Sequence, residues 1–195
     1  MKEFGNNKLI LVFCTARTGS TTLCNKINEM NNSIFNLYEL FDISIGHHGN
    51  FYQKHKHISM NNIFAELFYG GHSNNNNILI KIFYEHLEFI SWDRIIELLA
   101  LNINKKIILL KRNNLDTYNS LVKAVSSNEW GNNPDNKQLT ITNSYTHKLL
   151  TNNETYNQLI NKWYIDLETI MKENNVQYSI LDFTEIIKPN FVYKI

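Results

Sequence analysis

The residues at positions 15–22, TARTGSTT, combine a guanidinium group, one glycine and several hydroxyls in a single short turn. The apolar run Lys8–Cys14 precedes this turn and a segment with helical spacing follows it. The turn is therefore predicted to join a buried strand to the N-terminus of a helix. Backbone N–H groups and the helix dipole favour anions at such a junction. Since Arg17 adds a permanent cation and Gly19 lets the backbone approach closely, the turn is predicted to bind an anion.

This turn differs from the loop that holds nucleoside triphosphates. A Walker A loop has the pattern G-x-x-x-x-G-K-[ST], in which lysine directly follows the second glycine. Here Ser20 follows Gly19, and the cation Arg17 precedes the glycine. This departure argues against an ordinary nucleoside triphosphatase. For the turn considered alone, a helix cap with an incidental arginine is the alternative interpretation.

A second basic junction follows the apolar run KIILL at positions 106–110. The run ends in Lys111 and Arg112 and enters a predicted helix, in which Ser120 lies eight residues after Arg112, about two helical turns. Because parallel strands end at one edge of their sheet, Arg112 is expected on the same side as the first turn. A solvated basic pair with a surface serine is the alternative.

Predicted strands and helices alternate along the chain, which has 195 residues and no internal repeat or clear domain boundary. The predicted strands cover residues 8–14, 33–39, 77–84, 106–110 and 178–182. The predicted helices cover residues 20–30, 60–69, 87–101, 115–125 and 145–173, with a short helical turn at 183–187. Residues 41–59 and 130–143 show no period and are predicted to be loops. The pattern indicates one α/β domain over residues 1–195, a three-layer sandwich with a mainly parallel central sheet.

The two junctions together resemble the cofactor signatures of sulfotransferases, which use 3′-phosphoadenosine-5′-phosphosulfate (PAPS). In that family a loop of the form P-[KR]-[ST]-G-[ST]-[ST] binds the 5′-phosphosulfate. A later strand ends in an arginine that, with a serine eight residues on, holds the 3′-phosphate. The first pattern is matched by Arg17, Thr18, Gly19, Ser20 and Thr21, with Thr22 as a further hydroxyl and Ala16 in place of the usual proline. The second is matched by Arg112 and Ser120.

Four further segments resemble the family in the same order along the chain. LYELF, at positions 37–41, is similar to the second strand of bacterial carbohydrate-type sulfotransferases, where a glutamate serves as the base. IKIFYEHL, SLVKAVSSNEW and YSILDFTEI resemble the next core strand, the helix after the serine and the closing strand. The resemblance covers most of the chain and implies a P-loop NTPase-like sulfotransferase fold.

The resemblance implies an enzyme that moves a sulfuryl group from PAPS to an acceptor hydroxyl, on a carbohydrate or a small metabolite, and releases PAP. Arg17 would stabilise charge on the bridging oxygen, and Glu39 would take the acceptor's proton. The scheme requires no metal. For Glu39, a paired or solvated carboxylate at a strand end is the alternative.

Four histidines, His47, His48, His55 and His57, crowd the predicted loop at 41–59. Their spacing does not match a usual zinc site, and the loop has no cysteine. A solvated, flexible loop is the commoner explanation of this composition, and the functional prediction is that His47 and His48 contribute to acceptor recognition, with either as an alternative base. His86, after the third predicted strand, is interpreted as structural.

The overall composition restricts the partners. The formal net charge is +1, so the chain has no bulk attraction for nucleic acid or an anionic membrane. No apolar run has the length of a signal peptide core or a membrane span, which favours a cytoplasmic protein. Cys14 and Cys24 are predicted to be buried thiols rather than a disulfide, as expected in a reducing compartment. The oligomeric state is left open.

Two other functions are compatible with parts of this pattern. One is a non-catalytic module that binds PAP or a nucleotide on the same fold. The other is a P-loop kinase acting on a small metabolite, which is disfavoured because the sequence has no Gly-Lys pair in the first turn and no clear magnesium-binding aspartate after a strand.

Overall fold

A parallel β-sheet forms the centre of the molecule. The computed structural model describes residues 7–30, 33–42, 46–70, 77–127 and 144–193, with the backbone alone for residues 46–49. Among these residues the strands pair in the order β2-β3-β1-β4-β5, all parallel. Their bounds are β1 Lys8–Cys14, β2 Ile34–Tyr38, β3 Asn77–Phe83, β4 Asn104–Lys111 and β5 Ser179–Asp182. The α/β fold with a parallel sheet is thereby confirmed.

Helices connect these strands. Their bounds are α1 Ser20–Met30, α2 Gly46–His55, α3 Met60–Tyr69, α4 Trp92–Leu99, α5 Asn114–Ser127, α6 Ser144–Leu149, α7 Asn153–Glu173 and α8 Phe183–Ile186. A 3₁₀ segment, Tyr84–Glu88, follows β3 directly. In the described ranges, none of these helices has both the length and the apolar character that a membrane span requires.

Both faces of the sheet are covered, which explains why β1 reads as an uninterrupted apolar run. Its alternate residues Leu9, Leu11 and Phe13 join the larger core cluster, together with residues of α3, α4, α5, α6 and α7. The residues between them join a second cluster with residues of α1 and α8. A strand that is buried on both faces gains from apolar side chains at every position. The layers are therefore helix, sheet and helix, as the sequence predicts.

The predicted loop at 41–59 is wrong in part, because α2 occupies Gly46–His55. This helix lacks an apolar period but contains two adjacent aromatic residues. Tyr52 is buried and meets Phe41 edge-on, with 4.8 Å between ring centroids. Phe51 packs on the ring of His55. These tertiary contacts stabilise a helix that local sequence preference does not specify.

Two predicted helices have different bounds in the structure. The helix predicted at 145–173 is divided into α6 and α7 by Asn152, whose side chain accepts a hydrogen bond from Thr155 N–H at 2.8 Å and caps α7. The helix predicted at 87–101 begins only at Trp92, after the cap Ser91. The loop predicted at 130–143 lies outside the described residues.

The two cysteines are free and buried, as predicted. Cys14 ends β1 and Cys24 lies on α1, within the smaller core cluster. Burial raises the pKa of the Cys24 thiol to about 12 and the pKa of Cys14 well above its ordinary value. Both therefore remain neutral thiols and act as small apolar residues.

The topology defines where a ligand site belongs. From β1 the chain leads through α1 to β2, whereas from the neighbouring β4 it leads through α5, α6 and α7 to β5 on the opposite side of the sheet. Ligands of open α/β sheets bind at the carboxyl ends of two such strands, where the connections diverge. This crevice lies between the residues that follow Cys14 and those that follow Lys111.

Removal of Trp163 should test the larger core. Its ring lies within 6.3 Å of Phe13 and 5.0 Å of Trp92, centroid to centroid, and the residue is buried. We expect Trp163→Ala to lower the free energy of unfolding by about 3–5 kcal/mol, measured in urea. Ile165→Ala, on the same helix but 63% exposed, should change it by less than about 0.5 kcal/mol. Similar losses in both variants would contradict this assignment of the core.

Candidate functional site

The turn between β1 and α1 has an unusual backbone. Arg17 has a φ of 67° and Gly19 a φ of 87°, so both lie in the left-handed region, which non-glycine residues enter rarely. A Cβ atom on Gly19 would lie 2.2 Å from Cε2 of Phe183. Glycine is therefore required at position 19 by both conformation and space.

The turn is fastened to the protein beneath it. Thr18 donates from its N–H and its hydroxyl to the carbonyl oxygen of Thr15, at 3.4 and 2.8 Å. The hydroxyl of Thr15 lies 3.2 Å from that of Tyr156 on α7. The Ala16 N–H donates to the carboxylate of Glu85, at 3.2 and 3.4 Å from its two oxygens. Contacts within the protein thus fix the shape of the turn.

The residues that enter α1 present backbone donors. The first helical hydrogen bond runs from Leu23 N–H to the Gly19 carbonyl at 3.1 Å. The N–H groups of Ser20, Thr21 and Thr22 precede that bond, so they have no acceptor within the helix. Together with the helix dipole they favour an anion at this end of α1.

Arg17, Arg112 and Ser120, hereafter the cationic cluster, meet in the crevice between β1 and β4. Arg17 Nε donates to Ser120 Oγ at 3.2 Å, and Arg112 Nη1 donates to the carbonyl oxygen of Arg17 at 3.0 Å. The Arg112 guanidinium also lies over the ring of Phe183, 4.6 Å from its centroid. Residues about a hundred positions apart thus place two guanidinium groups beside one helix N-terminus.

The other residues of the first turn contribute differently. The side chains of Thr18 and Ser20 are buried and face the protein, so these residues offer backbone rather than hydroxyl groups to the crevice. Thr21 and Thr22 are exposed. The hydroxyl of Thr21 accepts a hydrogen bond from Lys81 Nζ at 3.4 Å.

Glu39 follows β2 and pairs with a buried lysine. Its carboxylate lies 2.8 Å from Lys81 Nζ, and the Lys81 side chain is only 3% exposed. Burial alone would lower the pKa of Lys81, but the charge and hydrogen bond of Glu39 outweigh it and raise that pKa above its ordinary value. Lys81 therefore remains an ammonium group between the helix N-terminus and Glu39.

Glu39, Asp42 and His86, hereafter the acidic cluster, lie on the other side of Lys81, with one polar atom from each within 4.8 Å of the others. His86 Nδ1 accepts the N–H of Phe83 at 3.2 Å, and burial lowers the pKa of His86. Its ring is therefore neutral with the proton on Nε2, which is buried and has no hydrogen-bond partner among the residues that the structure describes. A protonated Nε2 can donate a hydrogen bond but has no lone pair to offer a metal ion, and the charge of Glu39 is already paired with the Lys81 ammonium. The acidic cluster is therefore better suited to bind a hydroxyl group than a metal ion.

Glu85 is a buried carboxylic acid beneath the first turn. It is 6% exposed and accepts the Ala16 N–H. Burial is the main cause that raises the pKa of Glu85 to about 7, with smaller contributions from the charges of Glu39 and Asp42. Hydrogen bonds from backbone N–H groups act in the opposite direction.

The histidines of residues 41–59 are less informative. His47 and His48 lie in α2, but their side chains are outside the described part of the structure. The Nδ1 atom of His55 lies 2.8 Å from the Phe51 carbonyl, and its Nε2 lies 3.7 Å from Glu66. The role of His47 and His48 in acceptor recognition stays a prediction.

Four residues of this edge were not singled out for a role at the site from the sequence: Lys81, Asp42, Glu85 and His86. Lys81 could have been found, because a charged residue within the apolar run NILIKIF requires a buried partner. Glu85 and His86 follow a buried strand directly, which is the same signal that identified Arg112. Asp42 offers no comparable local signal.

A cleft of about 290 Å³ opens beside the cationic cluster. Arg112 forms part of its wall, with Lys111 from β4 and Tyr164, Ile165 and Glu168 from α7. Lys111 pairs with Glu168 at 3.0 Å, so its charge is largely balanced. Because Arg112 lines this open cleft, the residue is accessible from outside the molecule.

Glu85→Gln should change how stability depends on pH. The raised pKa means that the folded protein holds a proton on Glu85 that the unfolded chain loses, between about pH 4.5 and 7. Wild-type stability should fall across this window, relative to the variant, by about 3 kcal/mol in the free energy of unfolding. Urea unfolding at several pH values measures this difference. Glu88→Gln, in the same segment and exposed, should follow the wild type, and parallel curves for Glu85→Gln would contradict the burial argument.

Comparison with protein-family models and with curated proteins yields no match to this chain. Its function is therefore inferred from the residue patterns of the two junctions and from the geometry that brings them together.

Proposed function

We propose that the protein is a PAPS-dependent sulfotransferase that acts on a hydroxyl group of a carbohydrate or small metabolite. The observation that supports this most is the cationic cluster. Arg17 follows β1, Arg112 follows β4, and Ser120 lies on α5, yet Arg17 bonds Ser120 and Arg112 bonds the Arg17 carbonyl. These are the residues that the two sequence signatures assign to the two ends of one nucleotide.

The donor set fits a doubly phosphorylated nucleotide. The N–H groups at the start of α1, with Arg17, would hold the 5′-phosphosulfate. Arg112 and Ser120 would hold the 3′-phosphate and so fix the orientation of the donor. PAPS supplies the sulfuryl group that is transferred. Arg17 would stabilise the negative charge that develops on the phosphate side when the bond to sulfur breaks.

The acidic cluster fits the acceptor. Glu39 would take the proton of the acceptor hydroxyl as its oxygen bonds to sulfur, while PAP leaves from the opposite side. The His86 Nε2–H, buried and without a partner in the described structure, would donate to the same oxygen and orient it. Lys81 lies between Thr21 and Glu39, so its ammonium would separate the charge of the donor from that of the base.

Arg112→Ala tests the donor site. By calorimetry without magnesium, we expect wild-type protein to bind PAP, and the variant to bind it about 10- to 100-fold more weakly, because a hydrogen bond to a charged group is lost. Adenosine 5′-phosphate lacks the 3′-phosphate, so its affinity should change by less than about threefold. Lys111→Ala, which alters the neighbouring cation, is the matched control.

Three results would contradict one part of the proposal each. Equal losses for the two ligands would mean that Arg112 acts only by supporting the Arg17 carbonyl. Tighter, magnesium-dependent binding of ATP would favour the kinase. PAP binding without transfer of labelled sulfate to any of a panel of acceptors would favour the non-catalytic module.

Glu39→Gln tests the base. We expect turnover from labelled PAPS to fall at least about 100-fold, because the amide cannot take a proton. The affinity for PAP, measured on the same variant, should change by less than about threefold, since Glu39 lies outside the cationic cluster. Unchanged turnover would exclude Glu39 as the base. If turnover and PAP affinity fell together, Glu39 would have a structural role instead.

A further inference from the structure

Glu85 is unexpected at an anion site. The carboxyl group is buried, and both its oxygens lie within 3.4 Å of the nitrogen of Ala16, one residue before Arg17. A buried negative charge repels an anion bound nearby, because the surrounding dielectric is low. An anion bound at the cationic cluster and an ionised Glu85 would therefore oppose each other, and a neutral carboxyl group would remove that opposition.

Neutralisation would not release the turn. A protonated carboxyl group keeps a carbonyl oxygen that can accept the Ala16 N–H, although more weakly than a carboxylate does. The turn is also held by the Thr18 and Thr15 hydrogen bonds, which involve no titratable group near neutrality. Glu85 can therefore change its charge while the backbone of the turn stays in place.

The groups that face Glu85 come from several elements. The charge of Glu85 interacts with Glu39 and Asp42 after β2, with Tyr84 beside it, and with Tyr156 and Tyr164 on α7. His86 follows it in the chain, and Lys81, Arg17 and Arg112 belong to the adjoining hydrogen-bond network of the site. Burial raises the pKa values of the tyrosines and lowers the pKa of His86. Arginine side chains are charged at any pH at which the protein is folded. Near neutral pH these tyrosines, His86 and the arginines thus keep their protonation state, whereas Glu85 can exchange a proton.

We propose that Glu85 is a proton-linked positioning residue: it holds the turn through Ala16, and it takes up a proton from solvent when an anion binds to the turn and the cationic cluster. The inference rests on the proposed donor site, since the anion is a nucleotide phosphate. The proton cancels the repulsion between the bound phosphate and the buried carboxylate. Binding therefore weakens as the pH rises, because the proton becomes harder to supply.

The number of protons taken up is measured by calorimetry of PAP binding in two buffers of different ionisation enthalpy. If bound PAP raises the pKa of Glu85 from about 7 to about 8, the protein takes up about half a proton per PAP at about pH 7.5. The phosphates of PAP release protons when cations bind them, so their contribution has the opposite sign. Glu85→Gln should abolish the uptake, and Glu88→Gln should retain it.

A second measurement uses the wild-type protein alone, in case the glutamine variant does not fold. The Kd for PAP should rise about fivefold between about pH 7 and 9, where the phosphates are already ionised. A flat pH profile, or equal proton numbers in wild type and Glu85→Gln, would overturn the linkage and leave the donor site intact. No binding of PAP at any pH would instead overturn the donor site itself.

Discussion

The site depends on β1 pairing in parallel with β3 on one side and β4 on the other. The two registers set Cys14 opposite Phe83 and Phe13 opposite Leu109, so the three strands end almost level. The segments that leave the carboxyl ends of these strands therefore emerge close together at one edge of the sheet. A slip of one residue would exchange the side chains that β1 directs into the two core clusters and misplace the turn at its end. The specific packing of each face of β1 is thus also what aligns the residues of the site.

The carboxyl edge of the sheet carries a positively charged group and a negatively charged group of residues side by side. The cationic cluster lies over the ends of β1 and β4, whereas the acidic cluster follows β2 and β3. Lys81 lies between them and pairs with Glu39, so among the described residues it is the one buried cation that contacts both this carboxylate and Thr21. An ion pair of this kind contributes little net stability, because desolvation of both charges opposes their attraction. Its value is positional, since it fixes the carboxylate relative to the helix that would hold the donor.

Local patterns predicted the strands and most helices well, because a strand buried on both faces and a helix with one apolar face each leave a clear period. They failed at α2, which depends on the packing of Tyr52, and at the division after α6, where Asn152 caps a new helix within a helical pattern. For the site, the rule that parallel strands end at one edge of the sheet correctly predicted that Arg17 and Arg112 lie close together. The contact of Lys81 with Glu39 joins residues 42 positions apart and depends on the register of the sheet, which no local pattern specifies.

Ala16 stands where the sulfotransferase signature that this turn resembles has proline, and this difference has a physical consequence. Proline would fix φ and would have no N–H, so a turn with proline is stiffened covalently. Alanine does neither, and the N–H that it keeps is the one that Glu85 accepts. In place of that covalent constraint, the turn has a hydrogen bond to a buried acid, in addition to the hydrogen bonds of Thr15 and Thr18. Such a bond changes strength when the acid gains a proton, so under the proposal for Glu85 one anchor of the turn would respond to the charge of the ligand.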